Sequence, residues 1–482
     1  MRSISAGIAA YRLELTIALG LLCLNLAVMS GHLASIDGLV MWRQAIALVH
    51  DHSFSLVPPI WWGSYLTSSS RGIGASLQYF PGVFMFEGFV NPAAPQPGPH
   101  YQYALLYGDR LYTIAGAPAW AVITAATACF VGLTTRALGF PRPASLWAMA
   151  FYGIGSPALA ASRGDTLQPL VAISWMVGIF ACVRFNQTGA RRWLWVCAAS
   201  IVYGVLTRPL EGSFLLPGAV VLLVLPWRRA LGPAALQVGA WAAAVVATLL
   251  LNWERFGSVL SFGYRLGTPE ASWTTPIWVG LPGALVSPGR GVLWEFPALF
   301  LAASGTAVLW KSQRVIALVL VGLPVVLFLE ACQFTDWVGG WDWGFRFFQP
   351  ALPLVAVVAG IGAIHLSPRW KLWLPAILLA GGVLWNLPAI ATDILGGYGA
   401  TYQDTWSNFR LDAYPPIGAW RFLHHIRPVE PSDAAAVDII WFRAARSAAG
   451  WATLIPLVAL VVTSATLWFS ALRSRVEPAA RV

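Results

Sequence analysis

Charged residues are scarce in this sequence. Only 10% of its 482 residues are Asp, Glu, Lys or Arg, whereas a soluble domain carries roughly 25%. Together with 58% hydrophobic residues and a mean hydropathy of +0.66, this scarcity excludes a soluble globular protein. Disorder is excluded too, because 26 Trp, 24 Phe and 13 Tyr supply ample apolar surface to offset the entropy of ordering. The composition predicts a polytopic membrane protein.

Lysine and cysteine are also rare. Lys311 and Lys371 are the only lysines, so arginine supplies nearly all of the positive charge, and we interpret this bias as that of a GC-rich bacterial genome. The basic residues are scattered in pairs, which argues against a nucleic-acid partner despite the net charge of +10. The cysteines lie inside apolar runs without disulfide or metal-ligand spacing, so we expect packing roles for Cys23, Cys129, Cys182, Cys197 and Cys332.

Several catalytic motifs are missing. The sequence contains no Gly-x-x-x-x-Gly-Lys-Ser/Thr phosphate loop, no His-Glu-x-x-His zinc motif and no Gly-x-Ser-x-Gly nucleophile elbow. These absences argue against ATP hydrolysis by a phosphate loop, a zinc protease of that type and an α/β-hydrolase.

Apolar windows predict about twelve transmembrane helices. We prefer a retained first helix to a cleavable signal, because the run over 13–30 approaches the roughly 20 residues needed to cross a bilayer. Two short spans separated by Thr207-Arg208-Pro209 leave a re-entrant hairpin open there. The predicted centres are Gly20, Ile123, Phe151, Trp175, Ala199, Gly218, Ala244, Ala302, Leu320, Val357, Leu379 and Ala459.

The distribution of charge predicts the orientation. With both termini in the cytoplasm, every predicted inner turn is short and basic, in agreement with the positive-inside bias. The outer side then receives long segments at about 36–110, 253–295 and 392–450 and nearly every carboxylate. We therefore expect one membrane domain over 1–482 in a bacterial inner membrane, with its working face outside the cytoplasm. The inner basic residues are Arg136, Arg142, Arg184, Arg191, Arg192, Arg228, Arg229, Lys311, Arg314, Arg369, Lys371, Arg473 and Arg475.

Two acidic positions border the first outer segment. Asp37 follows the first span and opens a stretch over 36–49 whose spacing predicts an amphipathic helix on the membrane surface. Asp37 can be a catalyst or simply the N-cap of that helix. Asp109-Arg110 precedes the second span, where ionisable groups are usually paired or functional. These two residues can bind substrate or pair with each other.

Two further motifs lie in later outer segments. Ser287-Pro288-Gly289-Arg290-Gly291, followed by Glu295, can bind a phosphate through Arg290 or form only a tight turn. Residues 336–346 hold three tryptophans, two acids and an arginine. An interfacial aromatic belt explains the tryptophans but not the charges, so we predict a ligand site that includes Trp341, Asp342, Trp343 and Arg346.

Together these motifs resemble the GT-C class of integral-membrane glycosyltransferases. The resemblance is to bacterial relatives of protein O-mannosyltransferases (glycosyltransferase family 39) and lipid A aminoarabinose transferases, and it covers most of the chain. One departure is that Asp37 is followed by Gly38, where such enzymes often have a second acid. Besides Asp37, the resemblance rests on Thr207-Arg208-Pro209, Asn252-Trp253-Glu254-Arg255-Phe256-Gly257-Ser258, Gly263-Tyr264, Ser287–Gly291 and Gly339-Gly340-Trp341-x-Trp343-Gly344-x-Arg346.

The resemblance implies transfer of a sugar from a polyprenyl-phosphate donor to an extracytoplasmic lipid, glycan or protein acceptor. We expect inversion with Asp37 as general base, donor phosphate contacts from Arg290, Arg346, Arg163 and Arg208, and no organic cofactor. A divalent metal stays open. Substrate contacts are expected from Asp109, Arg110, Trp341, Asp342, Trp343 and Glu295. The alternative is a polytopic transporter or lipid flippase, which the lack of a convincing internal repeat disfavours; a scaffold subunit would leave residues 336–346 unexplained.

Overall fold

Apolar α-helices make up most of the part of the chain that the structure describes. The computed structural model describes residues 11–61, 65–69, 71–86, 109, 111–164, 166–224, 231–261, 272–340, 342–394, 401–402, 406–425, 435–444 and 452–473. Their helical content confirms the predicted all-α membrane fold. A small addition is an antiparallel hairpin in the first outer segment, formed by β1 (Ser55–Trp61) and β2 (Tyr65–Ser68).

The α-helices are numbered here in chain order. They are α1 Arg12–Val28, α2 Ile36–His50, α3 Gly74–Leu77, α4 Phe80–Met85, α5 Ala117–Ala137, α6 Arg142–Gly153, α7 Ala158–Ala161, α8 Gln168–Thr188, α9 Arg192–Thr207, α10 Pro209–Ser213, α11 Leu215–Val224, α12 Leu231–Phe256, α13 Ile277–Val286, α14 Val292–Glu295, α15 Leu299–Ser312, α16 Arg314–Gln333, α17 Leu352–Ile364, α18 Trp373–Ala391, α19 Pro415–Gly418, α20 Ile440–Ala444 and α21 Leu454–Arg473. A π-helical turn, Tyr112–Gly116, leads into α5, and 3-10 turns cover Arg346–Ala351, Ser407–Phe409, Leu411–Ala413 and Ala419–Phe422.

All twelve predicted span centres lie in helices. Among the described residues, seven helices are long and apolar enough to cross a membrane by length and composition: Tyr112–Ala137, Gln168–Thr188, Leu231–Phe256, Arg314–Gln333, Arg346–Ile364, Trp373–Ala391 and Leu454–Leu472. The other five centres, Gly20, Phe151, Ala199, Gly218 and Ala302, lie in shorter helices. The polytopic architecture is confirmed, and the number twelve stays a prediction.

Helix α17 is the centre of the bundle. It is buried around its whole circumference and packs against α6 and α15. Glycines allow this close approach, because a Cβ at Gly362 would clash with the carbonyl oxygen of Leu301 in α15. The 3-10 turn that starts at Arg346 leads directly into this helix. The bundle core therefore holds the main chain of Arg346 in place.

The connecting segments gather into two groups. At one end, turns predicted to be cytoplasmic touch one another: Gln313 donates to the carbonyl oxygen of Leu138 at 2.8 Å, and the rings of Phe140 and His365 lie 6.1 Å apart. Segments predicted to be external contact one another, as in the ion pair between Arg346 and Asp37. This agrees with the alternation of loops from which the topology was predicted, while the compartment that each end faces stays a prediction.

Helix α2 begins where the sequence predicts. The Ser35 hydroxyl accepts a hydrogen bond from the Gly38 amide at 2.9 Å and caps the helix. The helix itself is confirmed, but the prediction that it lies on the membrane surface is wrong. Other parts of the protein cover α2 on most of its faces, and Trp42 is fully buried. The hairpin and helices α3 and α4 pack on it. The helical spacing of apolar residues could not predict this burial, because the segments that pack on α2 come later in the sequence.

Candidate active site

Asp37 is an ion-paired side chain, not a helix cap. Ser35 performs the capping, so the N-cap interpretation of Asp37 is wrong. One carboxylate oxygen of Asp37 accepts from Arg71, and the other lies 3.7 Å from Nη1 of Arg346. Burial raises the pKa of Asp37, but the charges of Arg71, Arg346 and Arg208 outweigh it and hold the pKa below its usual 3.8. Asp37 is thus an anion among three cations.

Arg71 is the partner that sequence reasoning missed. Its main chain is held by Arg255 of α12, whose Nη1 donates to the carbonyl oxygens of Ser69 at 3.0 Å and Arg71 at 2.8 Å. Arg255 also donates to Asn252 at 3.0 Å. A signal was available, because Arg71 is the only Arg or Lys between Arg43 and Arg110.

Arg208 and Arg346 flank one aromatic ring. Their guanidinium carbons lie 5.2 Å and 5.1 Å from the ring centroid of Phe347. Nε of Arg208 also pairs with Glu211 at 2.5 Å. Arg208 lies at the break between α9 and α10, where its extended backbone (φ −149°) ends one helix and Pro209 opens the next. Two of the four predicted phosphate-binding arginines therefore lie beside Asp37.

A second carboxylate shares Arg346. Nη1 of Arg346 lies 3.7 Å from Oδ2 of Asp342 and also 3.7 Å from Oδ2 of Asp37. The distance between these two carboxylate oxygens is therefore at most twice 3.7 Å. Oδ1 of Asp342 accepts from the Trp343 amide at 2.7 Å, while Oδ2 has no hydrogen-bond partner among the described residues. Burial raises the pKa of Asp342 against the opposing charge of Arg346. Arg346 therefore bridges two acids of different basicity.

Arg290 and Glu295 lie beneath this site rather than in it. Both are fully buried. Arg290 donates to the main-chain carbonyls of Gly340, Asp342 and Gly344, and Glu295 accepts from the Phe345 amide at 2.7 Å. The predicted phosphate contact of Arg290 and substrate contact of Glu295 are corrected accordingly, because groups of the protein itself already bind both side chains.

The other predicted contacts have different surroundings. Asp109 accepts from Nε1 of Trp42 at 2.7 Å and from the Tyr112 amide at 2.9 Å, so it ties α2 to the start of the second span. Trp343 is buried and donates to Asn386 at 3.2 Å, which corrects its expected substrate role. Arg110 and Trp341 lie outside the described residues.

Arg163 belongs to a separate buried cluster. Its terminal nitrogens donate to the carbonyl oxygens of Ala389 and Asp438 and to Oδ2 of Asp438 at 2.7 Å. His32 and Arg443 each contact Oδ1 of Asp438 at 2.7 Å. The predicted phosphate contact of Arg163 is therefore corrected to an internal ion pair that joins four segments of the chain.

This cluster also brings together three side chains of the types that bind metal ions. One potential ligand atom from each of His32, Asp393 and Asp438 lies within 4.8 Å of the others, and all three residues are buried. Arg443 lies 3.9 Å from Asp393 and, with Arg163, already neutralises the carboxylates. Ion pairing accounts for the arrangement, because a divalent cation would face two guanidinium groups.

We expect Asp438→Asn to destabilise the protein strongly. Removing one partner of a buried ion pair costs about 3–5 kcal/mol, because the remaining charges stay buried. Thermal unfolding in detergent is the measurement, and Asp412→Asn is the matched control, since its partner Arg410 is 66% exposed. A drop in Tm no larger for Asp438→Asn than for the control would contradict the structural role.

The same substitution tests the pH dependence. Burial lowers the pKa of His32, but Asp438 more than compensates and raises it above 6.5. The stability that protonated His32 contributes is fully present below pH 6.5 and is lost as the pH rises through its folded-state pKa. The Tm of the wild type should therefore fall as the pH rises through that folded-state pKa, and the fall should be smaller in Asp438→Asn.

Comparison with known proteins identifies the fold. No protein-family model matches the chain, and no curated protein matches its sequence. The crystal structure of ArnT from Cupriavidus metallidurans bound to undecaprenyl phosphate is similar, with a TM-score of 0.54, 17% identity and coverage of 96% of this chain and 76% of ArnT. ArnT in the apo state gives a TM-score of 0.51 and 16% identity over 97% and 76% of the two chains.

A third similarity is weaker. It is to the Archaeoglobus fulgidus oligosaccharyltransferase in the apo form, with a TM-score of 0.41, 12% identity and coverage of 91% of this chain and 58% of that one. The chain is a polytopic membrane protein of the kind that the composition predicts. Its fold is similar to that of ArnT, which confirms the predicted fold of an all-α polytopic membrane protein.

Proposed function

We propose that this protein is a membrane glycosyltransferase that moves a sugar from a polyprenyl-phosphate donor to an acceptor outside the cytoplasm. The observation that carries the proposal is Asp37, a carboxylate paired with Arg71 and Arg346 and close to Arg208. A carboxylate beside several guanidinium groups can combine a base for an acceptor hydroxyl with donors for a phosphate. The fold shared with ArnT supports the assignment, because the ArnT structure contains undecaprenyl phosphate.

The phosphate subsite is proposed to consist of Arg71, Arg208 and Arg346. Exposed fractions of 15%, 24% and 19% leave part of each side chain accessible. Arg71 takes the place that the sequence assigned to Arg163 and Arg290. Because a guanidinium group can present two N–H groups to one phosphate, this set suits a phosphate better than a neutral headgroup.

The reaction is proposed to proceed by a single displacement. The acceptor oxygen forms a bond to the anomeric carbon while the bond from that carbon to the phosphate oxygen breaks, which inverts the configuration. The acceptor proton passes to Asp37, and the bonding electrons leave with the phosphate. The phosphate needs no proton because the arginines stabilise its charge, so the reaction does not require the paired carboxylates of glycosidases.

Donor binding would also change the base. In the free protein, Arg71 and Arg346 hold Asp37 as an ion pair and weaken it as a base. A bound phosphate attracts the same guanidinium groups and adds negative charge, and both effects raise the pKa of Asp37. Asp37 would then be a stronger base once the donor is present.

The transfer assay tests the proposal. Purified protein in nanodiscs is given a panel of synthetic polyprenyl-phosphate sugars with radiolabelled sugar, and we expect transfer to an acceptor or slow donor hydrolysis with at least one donor. Heat-denatured protein is the control. Absence of both reactions over the whole panel would contradict the proposal and favour the transporter or flippase alternative.

A further inference from the structure

Arg290 is a buried cation whose terminal nitrogens are held by main-chain carbonyl oxygens. It is 0% exposed, and its Nη1 donates to the carbonyl oxygens of Asp342 and Gly344, the latter at 2.9 Å. Its Nη2 donates to the carbonyl oxygen of Gly340 at 2.8 Å. One guanidinium group therefore holds three alternate residues of the segment that carries Asp342.

Glu295 holds the next residue of the same segment. Its Oε2 accepts from the Phe345 amide at 2.7 Å. Gly344 lies against this carboxylate in a left-handed conformation (φ +66°), and a Cβ there would clash with Oε2 of Glu295. Burial raises the pKa of Glu295 to about 8 against the charge of Arg290 and the Phe345 hydrogen bond. Because of the clash with Oε2, a side chain at Gly344 would force the segment away from Glu295.

Both groups come from one anchored stretch of chain. The Ser287 hydroxyl accepts from the Arg290 amide at 3.3 Å, and the Gly289 amide donates to the carbonyl oxygen of Asn408 at 3.1 Å. Asn386 of α18 donates to the carbonyl oxygen of Glu295 at 3.2 Å. The stretch from Ser287 to Glu295 is thus fixed to two other segments and can serve as a support.

We propose that Arg290 and Glu295 are positioning residues that hold Gly340 and residues 342–345 so that the side chain of Arg346 reaches both Asp37 and Asp342. Neither touches the reacting groups. The expected effect on catalysis rests on the proposed function, whereas the expected effect on the position of Arg346 does not. Burying a charge is costly, and apolar packing would stabilise the fold at least as well, so the use of a guanidinium group points to control of loop geometry.

The consequence for Asp37 can be measured directly. If residues 340–345 shift, Arg346 moves away from Asp37 and its attraction weakens. Asp37 then binds its proton at a higher pH, because less positive charge opposes protonation. Infrared difference spectroscopy of the full-length protein in nanodiscs can follow this titration, with the Asp37 band assigned as the one that disappears in Asp37→Asn.

Arg290→Lys is the principal variant. It keeps the charge but cannot hold three carbonyl oxygens in one plane. We expect the Asp37 titration to move to higher pH and kcat to fall about 10- to 100-fold, the range that a small misplacement produces. Arg163→Lys is the matched control, since Arg163 is also buried and donates to main-chain carbonyls in the other cluster. It should lower Tm without moving the Asp37 titration.

If Arg290→Lys does not fold, a second pair of variants tests the same proposal. Glu295→Gln keeps an oxygen for the Phe345 amide, whereas Glu295→Leu does not. We expect the leucine variant to shift the Asp37 titration more than the glutamine variant does. An unchanged titration in every folded variant at position 290 or 295 would overturn the positioning role. A wild type without transfer activity would refute only the proposed function, because the titration needs no substrate.

Discussion

Asp37→Asn is expected to lower sugar transfer by about 10²- to 10⁴-fold, the usual contribution of a general base. Asparagine keeps the size of the side chain and a carbonyl oxygen for Arg71, but it cannot accept the acceptor proton. Donor affinity should stay the same or rise, because the arginines lose an anion that competes with the phosphate. Radiolabel transfer and equilibrium donor binding, measured on the same nanodisc preparation, check both parts.

Asp51→Asn is the matched control for this experiment. Asp51 lies at the other end of helix α2, is 43% exposed and pairs only with His50 among the described residues. It should transfer sugar at the wild-type rate. Near-normal turnover by Asp37→Asn would exclude Asp37 as the base, and Asp342 would then be the next carboxylate to test.

The fold was largely predictable from the sequence because a bilayer imposes a simple rule. Each span needs about 20 apolar residues with internally satisfied backbone groups. All twelve predicted centres accordingly lie in helices. The hairpin β1–β2 and the burial of helix α2 were not predictable in this way, since they depend on contacts between segments far apart in sequence.

The arginines of the site were predicted less well. Arg208 and Arg346 lie beside Asp37, whereas the terminal nitrogens of Arg163 and Arg290 donate to carbonyl oxygens of the protein and, for Arg163, to a carboxylate oxygen. A glycine-flanked arginine looks the same in sequence whether its guanidinium group faces a phosphate or a loop of its own chain. Only the fold decides between the two, because the decisive acceptors, such as Asp438, are distant in sequence.

Arg346→Met is expected to weaken donor binding and to reduce transfer by about 10²- to 10³-fold, the effect of removing one well-placed charge donor. Methionine keeps an unbranched side chain beside Phe347, so the change chiefly removes the charge. The exposed pair of Arg410 with Asp412 offers the control Arg410→Met, which should leave binding and transfer unchanged. Wild-type donor affinity in Arg346→Met would exclude Arg346 from the phosphate subsite.

The same variant should also lower Tm, because Asp37 and Asp342 then face each other without the cation that both share. Adding Asp342→Asn removes that repulsion, so the double variant should recover most of the lost Tm while transfer stays low. Recovery of Tm without recovery of transfer would separate the two roles of Arg346, one in holding the acids together and one in binding phosphate. If the double variant is no more stable than Arg346→Met, the loss of Tm comes instead from packing against Phe347, and Arg346 does not relieve repulsion between the two acids.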